Sequence, residues 1–197
     1  MQPYENFYKN GYEEFDFNPL GLNDVMRDIM KGELKSGFTL DKKYEKTADL
    51  RPNVIDYHKD FLEVLKANQV NSFLRSRTLR NLTLFHIQVR VSESTTSYMD
   101  WHRDTYFDND KKFGMTPPGA KIIYYPHFDE DESNQTRLRV CERSHRTMID
   151  NVRNDMSIIN MFPVRDVKSS NSKAIFFDTS ILRAVVRALA VELGGVV

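Results

Sequence analysis

The stretch Trp101-His102-Arg103-Asp104 decides how the rest of the chain is interpreted, because it places a histidine and a carboxylate two residues apart in a segment typical of a strand. Side chains alternate between the two faces of a strand, so His102 and Asp104 are predicted to project to the same side, about 6 to 7 Å apart along the backbone. An imidazole and a carboxylate are two-thirds of the facial triad that holds Fe(II) with open coordination positions. His102 and Asp104 are therefore the predicted metal ligands and catalytic residues.

A second tripeptide of the same kind, His127-Phe128-Asp129, occurs further along the chain. Short motifs of this sort also arise by chance, so their surroundings decide between them. His127 follows a proline and opens an acidic, turn-like run, which favours a solvent-facing strand end. We therefore assign the predicted site to His102.

Two further motifs follow in order, one from Leu138 to Arg146 and one from Ile175 to Leu182. Together with the Trp-His-x-Asp stretch, they resemble the phytanoyl-CoA dioxygenase-like branch of the Fe(II)/2-oxoglutarate-dependent oxygenases, over roughly residues 80 to 182. Three ordered motifs are far more specific than any one of them. The glycine and the Pro-Gly pair of the family pattern are replaced here by Arg137 and by Glu142-Arg143.

The resemblance implies a mainly β fold with N-terminal helices, a double-stranded β-helix or jelly roll whose mouth holds Fe(II) and 2-oxoglutarate. It implies a hydroxylase of a small or medium-sized organic substrate. Gln88 and Arg90, alternate residues of the preceding strand, are candidates for binding the cosubstrate; the alternative is a solvent-facing polar pair. His145 is a candidate for the pocket lining, or else a solvated turn residue. Lys121 is a weaker candidate.

The chain departs from the family pattern where the third metal ligand and the cosubstrate arginine are expected. Arg183 stands at the position of the second metal histidine, and a guanidinium has no lone pair to offer a metal. The arginine that pairs with the distal carboxylate of 2-oxoglutarate is expected about ten residues later, where this chain has Gly194. Arg187 is nearby, but in the wrong register for a strand.

The segment from Arg183 to Val197 also differs in composition from what precedes it. It contains no Asn, Lys, Ser, Asp, Phe or Ile, all of which are common just before it. Two explanations stay open, a natural helix or strand of a degenerate homologue, or a foreign tail. In either case we expect an atypical tail over 183–197, and a jelly roll without its closing strand.

Composition limits the other functions of the chain. A length of 197 residues with 40% hydrophobic content suits one domain with a sizeable core. The 28 basic and 28 acidic residues cancel, so no global field draws the protein to nucleic acid or to an anionic membrane. No stretch has the pattern of a signal peptide or the length of a membrane span. We expect a cytoplasmic protein with a small-molecule substrate, whose oligomeric state the sequence leaves open.

Hydrophobic periodicity divides the chain into a helical region over residues 1–78 and a β core over residues 79–182. Helices are predicted over Leu22–Leu34 and Val54–Phe73, the second with an apolar stripe that needs a partner. Beyond Arg80 the period changes to two. Strands are predicted over Leu82–Val91, Tyr98–Thr105, Ala120–Tyr125, Arg137–Cys141, Met156–Phe162 and Lys173–Phe177.

Three functions fit these observations. The first is an Fe(II)- and 2-oxoglutarate-dependent oxygenase, complete or truncated. The second is a ligand-binding pseudoenzyme on the same scaffold that has lost its iron. The third is an unrelated jelly-roll ligand binder in which His102 and Asp104 are surface residues, since a fold does not fix a function. Metal binding distinguishes the first from the other two.

Overall fold

A computed structural model of the chain describes residues 5–18, 20–31, 39–40, 47–50, 75, 84–92, 97–104, 119–126, 136–147, 157–168, 170, 172–186 and 189–196. Its helices include α1 (Glu5–Asn10), α2 (Leu20–Lys31) and a 3₁₀ helix at Ser144–Arg146. The strands are β1 (Tyr12–Asp16), β2 (Thr39–Leu40), β3 (Thr47–Leu50), β4 (Leu84–Ser92), β5 (Ser97–His102), β6 (Ala120–Tyr124), β7 (Arg137–Cys141), β8 (Val164–Lys168), β9 (Lys173–Asp178), β10 (Arg183–Val186) and β11 (Leu189–Val196).

The strands form two antiparallel sheets. The larger has seven strands in the order β1-β9-β6-β11-β4-β3-β2, and the smaller has four in the order β5-β10-β7-β8. One buried cluster takes side chains from both, including Ile123 and Phe177 of the larger sheet and Leu138 and Val185 of the smaller. The two sheets therefore pack against each other around a shared core, as in other mainly β proteins. The prediction of a mainly β fold is confirmed.

Helices cover the outer face of the larger sheet. Alternation along β9 sends Phe177 into the core and Phe176 outward, where it stacks on Phe7 of α1 with ring centroids 4.6 Å apart. The apolar face of α2 includes Val25 and Met26, both buried. The helix predicted at Leu22–Leu34 is thus present with slightly earlier bounds, whereas the one predicted at Val54–Phe73 lies outside the described residues.

The region before residue 78 also supplies strands, which the sequence did not predict. β1 forms one edge of the larger sheet, and β2 and β3 form the other. β1 pairs with β9, with Tyr12 opposite Phe177. The division of the chain at residue 78 stays a prediction, but the sheet extends across it.

The expectation that the closing strand is missing is wrong. β10 lies between β5 and β7 in the smaller sheet, and β11 lies between β4 and β6 in the larger. Valines are frequent in this segment, and β-branched side chains favour strands. Gly194 and Gly195 fall where the β11–β6 register shifts, between Leu193 and Val196, a common place for glycine in a strand. The atypical tail thus completes both sheets.

The strand predicted at Met156–Phe162 is also wrong. Residues 157–159 are helical, and the Met161 amide donates to the Ile158 carbonyl in a turn. The strand begins at Val164, two residues after the predicted end and just after Pro163. None of the helices in the described ranges has the length and hydropathy needed to cross a bilayer.

Candidate functional site

The three sequence motifs meet around the buried side chain of Arg103, the middle residue of His-x-Asp. Its guanidinium donates to the backbone carbonyls of Ser144, at 2.8 Å, and Ser180, and to the hydroxyl of Thr147 at 3.1 Å. The Leu182 amide in turn donates to the Ser144 hydroxyl at 2.8 Å. Segments far apart in sequence are thus fixed at the edge of the smaller sheet. Arg103 was not among the predicted site residues, although a charged side chain on the face opposite to His102 and Asp104 was a signal.

The structure brings His102 and Asp104 together as the two-residue spacing predicts. His102 ends β5, and its Nε2 atom lies 3.8 Å from Oδ1 of Asp104. The Nδ1 atom of His102 is 2.7 Å from the Asp100 carbonyl oxygen. A carbonyl only accepts, so Nδ1 carries a proton and, in the neutral ring, the lone pair lies on Nε2. The imidazole is therefore oriented toward the carboxylate as a metal ligand would be.

Two cations already hold the Asp104 carboxylate. The Nη2 atom of Arg183 is 2.8 Å from both carboxylate oxygens, and the Nζ atom of Lys121 is 2.7 Å from Oδ2. Burial by itself would raise the pKa of the Asp104 carboxyl, but the Arg183 and Lys121 charges outweigh it and hold that pKa well below its usual range. Asp104 is therefore ionised and electrostatically compensated within the protein.

Strand pairing, burial and an aromatic ring together position Arg183. It is the first residue of β10, opposite His102 on β5 and opposite Val140 on β7. Its side chain is 1% exposed, and its guanidinium lies 4.7 Å from the centroid of the Phe177 ring. A buried guanidinium over an aromatic face is held both by its carboxylate and by the ring. Arg183 thus stands across the ladder from His102, where a third ligand would be needed.

These residues do not fit an Fe(II) facial triad. That site needs two imidazoles and a carboxylate, but the described residues supply His102, Asp104 and a guanidinium. Within the described ranges, no group of three or more His, Cys, Asp or Glu residues is placed to hold a metal. A divalent ion beside Asp104 would also meet the positive charges of Arg183 and Lys121 at close range. The second tripeptide, at His127, lies outside the described residues.

Lys121, a weaker candidate in the sequence, forms an ion pair with Asp104. It lies on β6 of the larger sheet, opposite Phe177 of β9, whereas Asp104 follows β5 of the smaller sheet. The Lys121–Asp104 pair therefore connects the two sheets. The signal was its spacing, because Lys121 is in phase with the core residues Ile123 and Tyr125 along the strand.

The predicted cosubstrate residues are placed differently from one another. Arg90 of β4 is buried between the sheets, and its Nη1 atom is 3.8 Å from the sulfur of Met99 on β5. This position excludes the solvent-facing alternative for Arg90. Gln88 pairs with Glu192 of β11, and its side chain lies outside the described part of the chain. A role for either residue in binding 2-oxoglutarate stays a prediction.

His145 lies against the N-terminal segment. Its Nε2 atom is 3.1 Å from the Tyr8 carbonyl oxygen, which also accepts hydrogen bonds from the guanidinium of Arg146. The amide of Arg143 donates to the Asn10 carbonyl at 3.0 Å, so the same turn is bonded to two carbonyls of this segment. These contacts attach Ser144–Arg146 to the N-terminal segment. The pocket-lining role of His145 stays a prediction.

Burial lowers the pKa of the His145 imidazole, against the opposing effects of the Tyr8 carbonyl and the Asp178 carboxylate. Folding therefore favours the neutral ring, and its contribution to stability is complete above the unfolded pKa of about 6.5 and declines as the pH falls through it. We expect the wild type to lose more stability between about pH 7.5 and about pH 5.5 than His145→Gln, measured by urea unfolding. Equal losses in both proteins would contradict this assignment.

No family model and no curated protein matches this sequence. Solved structures do resemble it over nearly its whole length. HygX from Streptomyces hygroscopicus, with nickel and 2-oxoglutarate bound, is 14% identical and covers 96% of this chain and 84% of its own, at a TM-score of 0.65. EctD from S. alaskensis is 9% identical and covers 95% of this chain and 72% of its own, at a TM-score of 0.68.

A Pseudomonas putida prolyl-4-hydroxylase gives a similar result, at 11% identity and a TM-score of 0.63, with coverage of 98% of this chain and 95% of its own. At these identities the likeness concerns the fold. The chain has the fold of the Fe(II)/2-oxoglutarate-dependent oxygenases, as the resemblance of its three motifs implies.

Proposed function

We propose that this chain is a small-molecule-binding protein of the Fe(II)/2-oxoglutarate-dependent oxygenase lineage in which Arg183 closes the metal position, so that it binds its ligand without oxidising it. The observation that carries the proposal is the contact of Arg183 Nη2 with both oxygens of Asp104, at 2.8 Å. On this view the two sheets are the halves of a double-stranded β-helix, and the Asp104 cluster lies at its mouth.

A small organic ligand is favoured because a solved structure of similar fold contains one. One HygX structure contains hygromycin B together with nickel and 2-oxoglutarate. In this chain Arg90 is a buried cation between the sheets, and a guanidinium of this kind suits an anionic or polar group of such a ligand. We propose the cytoplasm as the compartment, and neither nucleic acid nor a membrane as a partner.

A second candidate is an active Fe(II)- and 2-oxoglutarate-dependent hydroxylase. The observation that favours it is the orientation of His102, whose Nε2 lone pair faces Asp104 across 3.8 Å. On this hypothesis His102 and Asp104 would supply two of the three ligands. Activity would require Arg183 to leave Asp104 and another group to take its place.

Turnover distinguishes the two candidates. The protein is incubated aerobically with Fe(II), ascorbate and 2-oxoglutarate, and succinate is measured. We expect no more succinate than from His102→Ala, whereas a clear excess would establish the second candidate.

Ligand binding is tested separately, by thermal shift without metal against a panel of small organic acids and sugars. Failure of every compound to stabilise the protein would count against the binding role.

Arg183→His is expected to tighten metal binding by about tenfold or more, because it removes a cation from Asp104 and supplies an imidazole opposite His102. Anaerobic calorimetric titration with Mn(II) or Fe(II) compares the wild type, Arg183→His and His102→Ala. Turnover need not return, since the cosubstrate arginine is also absent from position 194. Equal affinity in all three proteins would rule out this site as a metal centre.

A further inference from the structure

One carboxylate connects three strands that belong to the two sheets. Asp104 follows β5, Arg183 begins β10 of the same sheet, and Lys121 lies on β6 of the other sheet. The contacts of Asp104 with these two cations are 2.7 to 2.8 Å long. The cluster is four-fifths or more buried at each member, so solvent screens these charges far less than at an open surface.

We propose that the Arg183 guanidinium is an internal structural cation, and that it and a divalent metal ion are mutually exclusive partners of Asp104. A carboxylate offers about four lone-pair positions, and three are used here, two by Arg183 Nη2 and one by Lys121 Nζ. A single nitrogen placed equally close to both oxygens holds the carboxylate as a chelated cation would. The protein's own side chain thus supplies the positive charge, and folding requires no metal.

Arg183 does not yield this position readily. Its backbone is paired on both sides, with β5 and with β7, so only the side chain is able to move. That side chain is fully buried against the ring of Phe177. A metal would have to displace a desolvated ion pair, and the guanidinium would have to find another partner inside the protein. Ordinary metal concentrations are therefore not expected to open the cluster.

Lys121 has a different part in the cluster. It is 20% exposed, like Asp104, and it reaches the carboxylate from the opposite sheet. An ammonium on a flexible stem reaches solvent more easily than a buried guanidinium. Lys121→Met therefore removes the connection between sheets while leaving Arg183 on Asp104, which makes it a matched control for Arg183.

The test is thermal unfolding with Mn(II) or with a chelator, a measurement that needs neither ligand nor turnover. For the wild type, the unfolding temperature in Mn(II) is expected to equal that in the chelator. The same is expected for Lys121→Met, whatever its own unfolding temperature. Arg183→His is expected to unfold about 5 to 10 °C higher at about a hundredfold excess of Mn(II) over its dissociation constant. Arg183→Gln, which removes the charge without adding a ligand, is expected to gain much less.

Each outcome decides the matter. Stabilisation of the wild type by Mn(II) would overturn the proposal, and this arm stands even if Arg183→His fails to fold. Stabilisation of Lys121→Met alone by Mn(II) would mean that Lys121, and not Arg183, keeps the metal away from Asp104. That result would also overturn the proposal. If Arg183→His folds but Mn(II) leaves its unfolding temperature unchanged, the Arg183 guanidinium and a metal ion do not compete for one position beside Asp104. This inference rests on the part of the proposed function in which Arg183 closes the metal position, and that part falls with it. The binding of a small organic ligand is tested by ligand shifts and is decided separately.

Discussion

Asp104→Asn is expected to lower the free energy of unfolding by about 3 to 5 kcal/mol, the cost of leaving a buried charge without its partner. Arg183 is 1% exposed, and asparagine keeps the shape of Asp104 while removing its charge. The guanidinium would then remain in the interior with a neutral amide oxygen in place of the carboxylate. Urea unfolding measures the change as a shift of the midpoint at unchanged slope.

The control for this substitution is Asp166→Asn. Asp166 accepts from Arg139 at 3.2 Å, but both side chains are more than 40% exposed. An exposed pair of this kind contributes about 0 to 1 kcal/mol. If Asp104→Asn costs no more than Asp166→Asn, the cluster is not the compensated buried charge that its geometry indicates.

Gly11→Ala is expected to cost about 2 to 4 kcal/mol, from about 1 kcal/mol or more of backbone strain and about 1 to 3 kcal/mol of overpacking. Gly11 joins α1 to β1 with φ at +86°, a conformation that L side chains rarely adopt. A Cβ atom there would lie 2.5 Å from Nδ1 of His145 and 2.9 Å from Cδ1 of Ile181. Neither neighbour has room to move, since Ile181 is buried and His145 bonds to Tyr8.

A double-mutant cycle identifies the source of that cost. In a His145→Ala background the imidazole is gone, so Gly11→Ala should cost measurably less than in the wild type. The remaining cost reports the backbone strain and the contact with Ile181. Strict additivity of the two substitutions would mean that the imidazole does not crowd this glycine.

The predictable part of the site was its local part. The two-residue spacing of His102 and Asp104 places them together because a strand has only two faces. The same alternation predicts that Arg103 points the other way, and its contacts with Ser144 and Ser180 agree. Local geometry of this kind needs no knowledge of the rest of the fold.

The part that sequence could not supply depends on long-range packing. Arg183 reaches Asp104 across 79 residues of sequence, and an arginine is recognised as a buried ion-pair partner only when its strand neighbours are known. The sequence identifies Arg183 as a missing ligand, whereas the structure adds that its charge replaces one. Lys121 shows the same limit, because its partner lies on the other sheet.

The tail was misjudged for a related reason. Composition separates the segment after Leu182 from the rest, but a strand in the middle of a sheet is recognised by its pairing partners rather than by residue usage. β11 pairs with β4 on one side and β6 on the other. The valines of this segment suit a strand that is paired on both sides.

The place of β11 also governs when the protein becomes able to fold during its synthesis. Without residues 189–196 the larger sheet exists as two pieces, β1-β9-β6 and β4-β3-β2, each ending in an unpaired edge. Contacts between strands so far apart in sequence form slowly, and open edges recruit other chains. A polypeptide truncated before residue 189 is therefore expected to expose both edges and to be prone to aggregate.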